Sequence, residues 1–161
     1  MYTGIPGMAP SRIQPTVGLN MSKVQMKRTL VKFMDLGGQA DLQRIWASYY
    51  SECHAIIYVV DSSNADRIDE AKEALLRLMK APELDGVPVL VLANKSDLPD
   101  AVSLAQMKEA INSMADYMDT RDVRVMDSSG LDGSGVRTAV DWVYSRVIDN
   151  RMNKPPVVRE T

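Results

Sequence analysis

Two short polar clusters in this sequence could do chemistry, and each follows an apolar run. We call Asn94-Lys95-Ser96-Asp97 the base-side cluster, because its residues could contact a nucleotide base. A fixed carboxylate at Asp97 would accept hydrogen bonds from two adjacent donors, such as the N1–H and N2 amino groups of guanine, which adenine lacks. Asn94 would tie neighbouring loops together through its amide, and the stem of Lys95 would lie across the base. The alternative is a polar helix cap after a buried strand.

The phosphate-side cluster is Asp35-Leu36-Gly37-Gly38-Gln39. Asp35 suits an outer-shell contact to Mg²⁺, which usually keeps several water ligands. Gly38 would let its backbone N–H approach a γ-phosphate with no side chain in the way. Gln39 would orient a water for in-line attack on that phosphate. A plain glycine turn explains these residues taken alone, but the two clusters together indicate a GTP or GDP site.

The elements that must position these clusters alternate between strand and helix patterns. Strand patterns cover residues 19–27 and 29–34, with a turn near Lys27-Arg28, and then residues 55–60, 87–93 and 122–126. Helical spacing covers residues 42–50, 68–78, 104–114 and 136–147. Ser63 with Asp66 resembles a helix start, and Ser103 is predicted to cap the third helix. The alternation predicts an α/β fold with a mostly parallel sheet and flanking helices.

Polar residues follow several of these strands directly. In a parallel sheet, ligands bind at the carboxyl ends of the strands. We therefore expect these residues to share one edge of the sheet and to form one site. They are Asp35, Asp61, Asn94 and the pair Ser128-Ser129.

Composition narrows the class of protein. A chain of 161 residues with 45% hydrophobic and 25% charged content suits one globular domain, residues 1–161. A net charge of -2 gives no sign of nucleic-acid binding. Cys53 is the only cysteine, which excludes an internal disulfide and a cysteine zinc cluster and favours a reducing, cytoplasmic location. Apolar runs are too short to span a bilayer. Residues 153–161 are expected to form a flexible tail.

Residues 15–20 read Pro-Thr-Val-Gly-Leu-Asn and are followed by a hairpin, the phosphate-side cluster and a Leu-x-x-x-Trp-x-x-Tyr-Tyr segment. This order resembles the Arf family of small GTPases, a branch of the Ras-like P-loop NTPases, and is closest to the Arf-related proteins. The resemblance implies that Thr16 ligates Mg²⁺ and that a backbone N–H of the loop at Ser129-Gly130 meets guanine O6. It also implies a slow GTPase switch in Golgi and trans-Golgi membrane traffic. Its partners would be an exchange factor, a GTPase-activating protein and effectors, with peripheral association to a membrane.

The sequence departs from that family at its start and at its effector face. No G-x-x-x-x-G-K-S/T is present, so we expect the phosphate loop and the strand before it to be missing. That loss would leave the strands at residues 29–34 and 55–60 without a shared neighbour. Leu19, Met34 and Tyr49 stand where many Arf proteins carry an aromatic effector cluster. An alternative function is therefore a pseudo-GTPase that only binds proteins. A dinucleotide-binding oxidoreductase is not favoured, because no Gly-rich fingerprint follows an opening strand.

Overall fold

The computed structural model describes residues 12–118 and 121–152. The predicted tail at residues 153–161 lies outside these ranges. The chain divides into two compact units, with the boundary between Tyr49 and Tyr50. That the chain is a single domain stays a prediction.

The first unit contains an antiparallel hairpin. β1 (Leu19–Met26) pairs with β2 (Thr29–Leu36). The turn begins at Lys27, which has a φ of +51°, and the side-chain amide of Gln25 donates a 3.1 Å hydrogen bond to the Lys27 carbonyl. Both strands and the turn were predicted from the sequence within two residues.

A short helix follows the hairpin where a longer one was predicted. The sequence pattern predicted one helix over residues 42–50, but α1 spans only Ala40–Gln43, and a 3₁₀ segment covers Trp46–Glu52. Gln39 precedes α1 without making a side-chain cap. The Trp46 indole N–H donates to the Gly37 carbonyl at 3.0 Å, which ties this segment to the turn rather than to a regular helix.

The second unit is a three-stranded parallel sheet with helices. The strands β3 (Ile56–Asp61), β4 (Val89–Asn94) and β5 (Val123–Asp127) lie in the order β3-β4-β5. The helices are α2 (Ile68–Met79), α3 (Leu104–Asn112) and α4 (Val136–Asn150). Single 3₁₀ turns lie at Ala65–Arg67, Pro82–Leu84 and Ala115–Tyr117. This is the predicted α/β architecture.

The core of the second unit is built around β4, whose residues Val89, Leu90 and Val91 are fully buried. Leu90 lies in an apolar cluster with Met126 of β5 and with Trp142 and other residues of α4. Successive side chains of a strand point to opposite faces, so Val89 and Val91 face away from that cluster. β4 is therefore covered on both faces, as its continuous apolar sequence predicted.

Two local predictions were wrong. The strand at residues 55–60 was expected to be buried, but the Val59 side chain of β3 is 58% exposed. The position of β3 at an edge of its sheet agrees with the expectation that it shares no neighbour with the strand at residues 29–34. Ser63 and Asp66 do not cap a helix. The Ser63 hydroxyl donates to Asp61 at 2.6 Å, Asn64 precedes the 3₁₀ turn without a side-chain cap, and α2 begins at Ile68.

The predicted cap of α3 is confirmed. The Gln106 backbone N–H donates to the Ser103 hydroxyl at 3.3 Å, and the Ser103 backbone N–H donates to the Gln106 side chain at 3.1 Å. This reciprocal pair is a capping box. Among the described residues, no helix is both long enough and apolar enough to cross a bilayer.

Candidate functional site

Asn94 joins the carboxyl ends of all three parallel strands. Its backbone carbonyl, at the end of β4, accepts hydrogen bonds from the Ser62 backbone N–H at 2.9 Å and the Ser62 hydroxyl at 2.7 Å, just after β3. Its side-chain Oδ1 accepts from the Gly130 N–H at 3.0 Å and the Ser128 hydroxyl at 3.4 Å, beyond β5. The amide therefore ties two loops together, as the sequence predicted.

Lys95 is held in a definite direction. Its backbone has a φ of +65°, a left-handed conformation that is uncommon for a residue with a side chain. Its Nζ lies 2.5 Å from Asp61 Oδ2, while Asp61 Oδ1 accepts from the Ser63 N–H at 3.0 Å. Partial burial acts to raise the pKa of Asp61, but the hydrogen bonds from Lys95 and Ser63 outweigh it and leave the pKa below its ordinary value. The ion pair holds the Lys95 ammonium group at the end of β3.

Ser96 and Asp97 have different roles in the turn that follows β4. The backbone N–H and hydroxyl of Ser96 both donate to the Ser128 carbonyl, at 3.1 and 2.9 Å, and so anchor the turn. Asp97 is exposed, and its carboxylate makes no hydrogen bond or ion pair with any described residue. Both of its oxygens are therefore free to accept hydrogen bonds from a ligand.

In the loop after β5, the backbone N–H groups of residues 129–131 already have hydrogen-bond acceptors. The N–H of Ser129 donates to the Ser134 carbonyl at 3.0 Å, that of Gly130 to Asn94 Oδ1, and that of Leu131 to the Ser129 hydroxyl at 3.1 Å. Ser129 is fully buried and its hydroxyl closes the loop. A contact to guanine O6 from Ser129 or Gly130 stays a prediction, and it would require one of these N–H groups to share its hydrogen bond.

In the first unit, Thr16 and Asp35 form a pair of oxygen ligands. The Thr16 hydroxyl donates to Asp35 Oδ2 at 2.9 Å. Hydroxyl and carboxylate oxygens are the hard ligands that Mg²⁺ prefers, and Mg²⁺ usually completes its shell with water and phosphate oxygens. The described residues contain no group of three or more His, Cys, Asp or Glu side chains that could hold a metal alone. The donor set thus fits a Mg²⁺ ion shared with a phosphate.

The two glycines of the phosphate-side cluster differ in what surrounds them. Gly37 is buried, and a Cβ there would clash with the Thr16 carbonyl oxygen and lie 2.5 Å from the Leu42 side chain. Its N–H donates to the Gly18 carbonyl at 3.1 Å. Gly38 is exposed, and a Cβ there would meet nothing within 4 Å. Of these two positions, packing within the protein requires glycine only at 37, and any need for glycine at position 38 comes from a ligand.

Gln39 stands at the entry to α1 with an extended backbone. Its carbonyl accepts from the backbone N–H groups of Leu42 at 2.8 Å and Gln43 at 3.1 Å. Its side-chain amide is exposed and makes no hydrogen bond to any described residue. Gln43 donates to the Gly38 carbonyl at 3.2 Å, so the turn is fixed while the Gln39 amide is free to orient a water.

The structure groups the predicted site residues by unit and corrects one expectation. Asp61, Asn94 and Ser128-Ser129 share the carboxyl edge of the parallel sheet, as predicted. Asp35 does not belong to that sheet, because its strand pairs with β1 in a separate two-stranded sheet. The sequence predicted the hairpin partner of this strand correctly, and the wrong step was to place Asp35 at the edge of the parallel sheet.

Sequence reasoning gave no role to two serines that build the base-side cluster. Ser62 is fully buried and binds Asn94, and Ser96 binds the Ser128 carbonyl. Both follow a parallel strand closely, which is the only sequence signal that could have pointed to them.

Comparisons with known proteins agree with this geometry. The sequence profile of the ADP-ribosylation factor family matches residues 8–147. The chain belongs to the Arf family of small GTPases. The ADP-ribosylation factor-like protein 3 of Saccharomyces cerevisiae is 40% identical over 152 residues, which cover 94% of this chain and 77% of the relative. The ADP-ribosylation factor-related protein 1 of Bos taurus is 41% identical over 154 residues, covering 96% and 76%.

A solved structure supports the same family assignment. The Arl6 BBS3 small GTPase from Trypanosoma brucei, determined with the bound nucleotide analogue GppNp, aligns with a TM-score of 0.78 at 28% identity. The alignment covers 88% of this chain and 86% of that one. Membership of the Arf family explains why the base-side and phosphate-side clusters occur in one chain and in this order.

Proposed function

We propose that this Arf-family protein is a guanine-nucleotide switch that binds GDP and GTP with Mg²⁺. The observation that carries the proposal is the geometry of the base-side cluster. Asn94 and Ser96 fix the turn by hydrogen bonds to neighbouring loops, while the exposed Asp97 carboxylate is left with both oxygens free. Family membership and the nucleotide analogue bound to the Trypanosoma brucei neighbour support it.

Base selection in this proposal depends on Asp97. Its two carboxylate oxygens would accept from the N1–H and N2 amino groups of guanine. Charge-assisted hydrogen bonds of this kind are each worth about 1.5–3 kcal/mol. Lys95, held by Asp61, would lay its aliphatic stem against the base. Adenine presents no matching pair of donors and would be rejected.

On the phosphate side, Thr16 and Asp35 would hold Mg²⁺ through oxygen atoms, directly or through water. The ion, when bound, would neutralise charge on the β- and γ-phosphates. Gly38 would bring its N–H against the γ-phosphate, and the free amide of Gln39 would orient the attacking water. We expect intrinsic hydrolysis to be slow, because GTPases of this type gain most of their rate from an arginine that a partner supplies.

The cellular role follows from the resemblance to the Arf-related branch. We propose that nucleotide state controls the segments around Thr16 and Gln39, and that effectors recognise the ordered form. An exchange factor and a GTPase-activating protein would set that state. The expected setting is the cytoplasmic face of Golgi and trans-Golgi membranes, with peripheral membrane attachment.

Replacing Asp97 tests the proposal directly. In Asp97→Asn, an N–H₂ replaces one acceptor oxygen, so affinity for a fluorescent GDP analogue in Mg²⁺ should fall by roughly 100-fold, which corresponds to about 3 kcal/mol. Affinity for the same nucleotide with xanthine in place of guanine should rise. Xanthine carries a carbonyl where guanine carries its amino group, and the new side-chain amide can donate to that carbonyl. The matched control is Asp100→Asn, an exposed residue of the same segment, which should leave both affinities unchanged.

A second candidate function is a protein-binding module with a Ras-like surface and no nucleotide chemistry. The observation that favours it is that residues 1–161 contain no G-x-x-x-x-G-K-S/T. The same titration separates the two. Micromolar or tighter GDP binding by the wild-type chain supports the switch, whereas no saturable binding rejects the switch for this chain and supports the module.

A further inference from the structure

The outer edge of β5 carries backbone groups without partners. The Val89 N–H donates to the Asp122 carbonyl and the Ser128 N–H to the Ala93 carbonyl, so even-numbered residues of this strand face β4. By alternation, the N–H and C=O groups of Val123, Val125 and Asp127 point away from β4. Among the described residues, no strand pairs with that side and no backbone bond uses those groups. An unpaired row of this kind is a template for an added strand.

This edge forms the floor of a groove of about 500 Å³. One wall is α3, where Leu104, Lys108 and Asn112 recur every four residues and so form one stripe of the helix. The other wall is the start of α4, at Gly135 and Thr138. The volume lies within the range of functional ligand sites. The groove therefore offers a strand edge with a helix on either side.

The groove carries basic charge that nothing described neutralises. Lys108 lies on the α3 wall, and Arg124 lies on the side of β5 that also bears Met126, which packs against α4. Both basic side chains are exposed, and neither forms an ion pair with a described residue. Asp127, at the carboxyl end of the strand, is the one acidic side chain in the lining. A ligand with carboxylates on both of its faces would meet a positive charge on each side.

We propose that this groove binds an extended acidic segment of a partner protein, which pairs with β5 as an added strand. Main-chain hydrogen bonds to Val123, Val125 and the Asp127 N–H would supply affinity, since the Asp127 carbonyl lies against Gly135. Lys108 and Arg124 would select acidic side chains. A second copy of this chain fits less well, because pairing two β5 edges would bring the basic side chains of both copies together. The site is separate from the guanine-binding residues and makes no use of nucleotide.

A synthetic peptide tests the proposal with the full-length chain. The probe has about eight residues, long enough to match a typical strand. Its sequence alternates pairs of glutamates with pairs of valines, so that each face of the added strand carries carboxylates. In a ¹⁵N-labelled sample, its addition should slow hydrogen exchange at the amides of Val123, Val125 and Asp127. The same peptide with N-methyl groups at alternate positions should lose binding, because it cannot donate to the strand. A lysine–valine peptide should bind at least about tenfold more weakly, because its charges are repelled.

Two variants locate the site. Val125→Pro removes only the outward N–H of the strand, since its ladder contacts to β4 come from the neighbouring residues, and proline is tolerated at sheet edges. It should abolish peptide binding, whereas Val59→Pro, the matching change on the outer edge of β3, should leave binding unchanged. Lys108→Glu should weaken binding about tenfold, and Arg151→Glu, with the same charge change at the far end of α4, should not. Thermal melting of each variant checks that the fold is retained.

Three results would overturn the proposal. The first is equal affinity of wild type and a folded Val125→Pro for the acidic peptide. The second is equal affinity for the acidic and basic peptides. The third is a dimer of the wild-type chain in sedimentation that Val125→Pro abolishes, which would make a second copy the occupant.

Discussion

At the scale of single residues, Gly37 and Gly38 are adjacent but are constrained by different things. A Cβ at Gly37 would clash with the Thr16 carbonyl and the Leu42 side chain, whereas a Cβ at Gly38 would meet no atom within 4 Å. We predict that Gly37→Ala lowers the free energy of unfolding by about 1–3 kcal/mol, because the added methyl overpacks a closed site. Gly38→Ala should change it by less than about 0.5 kcal/mol, as surface substitutions usually do.

The pair of variants also separates structure from ligand binding. Urea denaturation measures the stability of both, and titration with a non-hydrolysable GTP analogue measures affinity. Gly38→Ala should weaken binding of the GTP analogue while leaving GDP affinity nearly unchanged, since only GTP has the γ-phosphate. If Gly38→Ala proved as destabilising as Gly37→Ala, the conclusion that position 38 has room for a side chain would be wrong.

Predictions for single residues succeeded where the side chain's hydrogen-bonding groups determine its role. The amide of Asn94 was expected to join loops, and it bonds Gly130 and Ser128. The loop at Ser129-Gly130 was expected to present an N–H to guanine, yet each N–H from Ser129 to Leu131 already has an acceptor. Sequence shows which groups a loop contains but not which of them the loop uses to hold itself together.

At the scale of elements, α3 depends on its capping box. The Ser103 side chain satisfies the Gln106 N–H, which has no partner inside the helix. We predict that Ser103→Ala lowers the free energy of unfolding by about 1 kcal/mol. Ser103→Asp should stay close to wild type, because aspartate is an equally good cap. Chemical denaturation of the three proteins measures this, and equal stability of Ser103→Ala and wild type would show that the cap contributes nothing.

The predicted elements failed where a second interaction competed for the same group. Ser63 was expected to cap a helix, but Asp61 lies two residues away and takes its hydroxyl. The helix predicted over residues 42–50 is replaced by a short helix and a 3₁₀ segment, with Trp46 bonded to the Gly37 carbonyl. By contrast, β4 was predicted well, because an apolar strand covered on both faces leaves no competing arrangement.

At the scale of the whole molecule, the fold class was predictable and the pairing of strands was only partly so. The alternation of strand and helix patterns predicts a parallel sheet. Because ligands bind at the carboxyl ends of parallel strands, it also predicts that Asp61, Asn94 and Ser128 lie at one edge. The same rule was applied to Asp35, whose strand belongs to the other sheet. Periodicity identifies a strand and its faces, but a strand's neighbours depend on hydrogen bonds that the pattern does not encode.

The two units of the chain should differ in local stability. Of the buried apolar side chains in the described ranges, only Val31 belongs to the first unit, while β4 lies at the centre of the second. A two-stranded hairpin is only marginally stable by itself. We predict that amides of β1 and β2 exchange with solvent at least on the order of 100-fold faster than those of Leu90 and Val91, because the hairpin opens without global unfolding.

Hydrogen exchange followed by NMR measures this difference residue by residue. Val125 provides an internal reference, because its N–H points away from β4 and should exchange quickly although its neighbours Arg124 and Met126 are protected. Equal exchange rates in the hairpin and in β4 would mean that both open only in global unfolding. The prediction that the hairpin opens separately would then be wrong. Fast exchange in β4 would instead contradict its position at the centre of the core, since a strand paired on both sides and buried on both faces should be among the last to open.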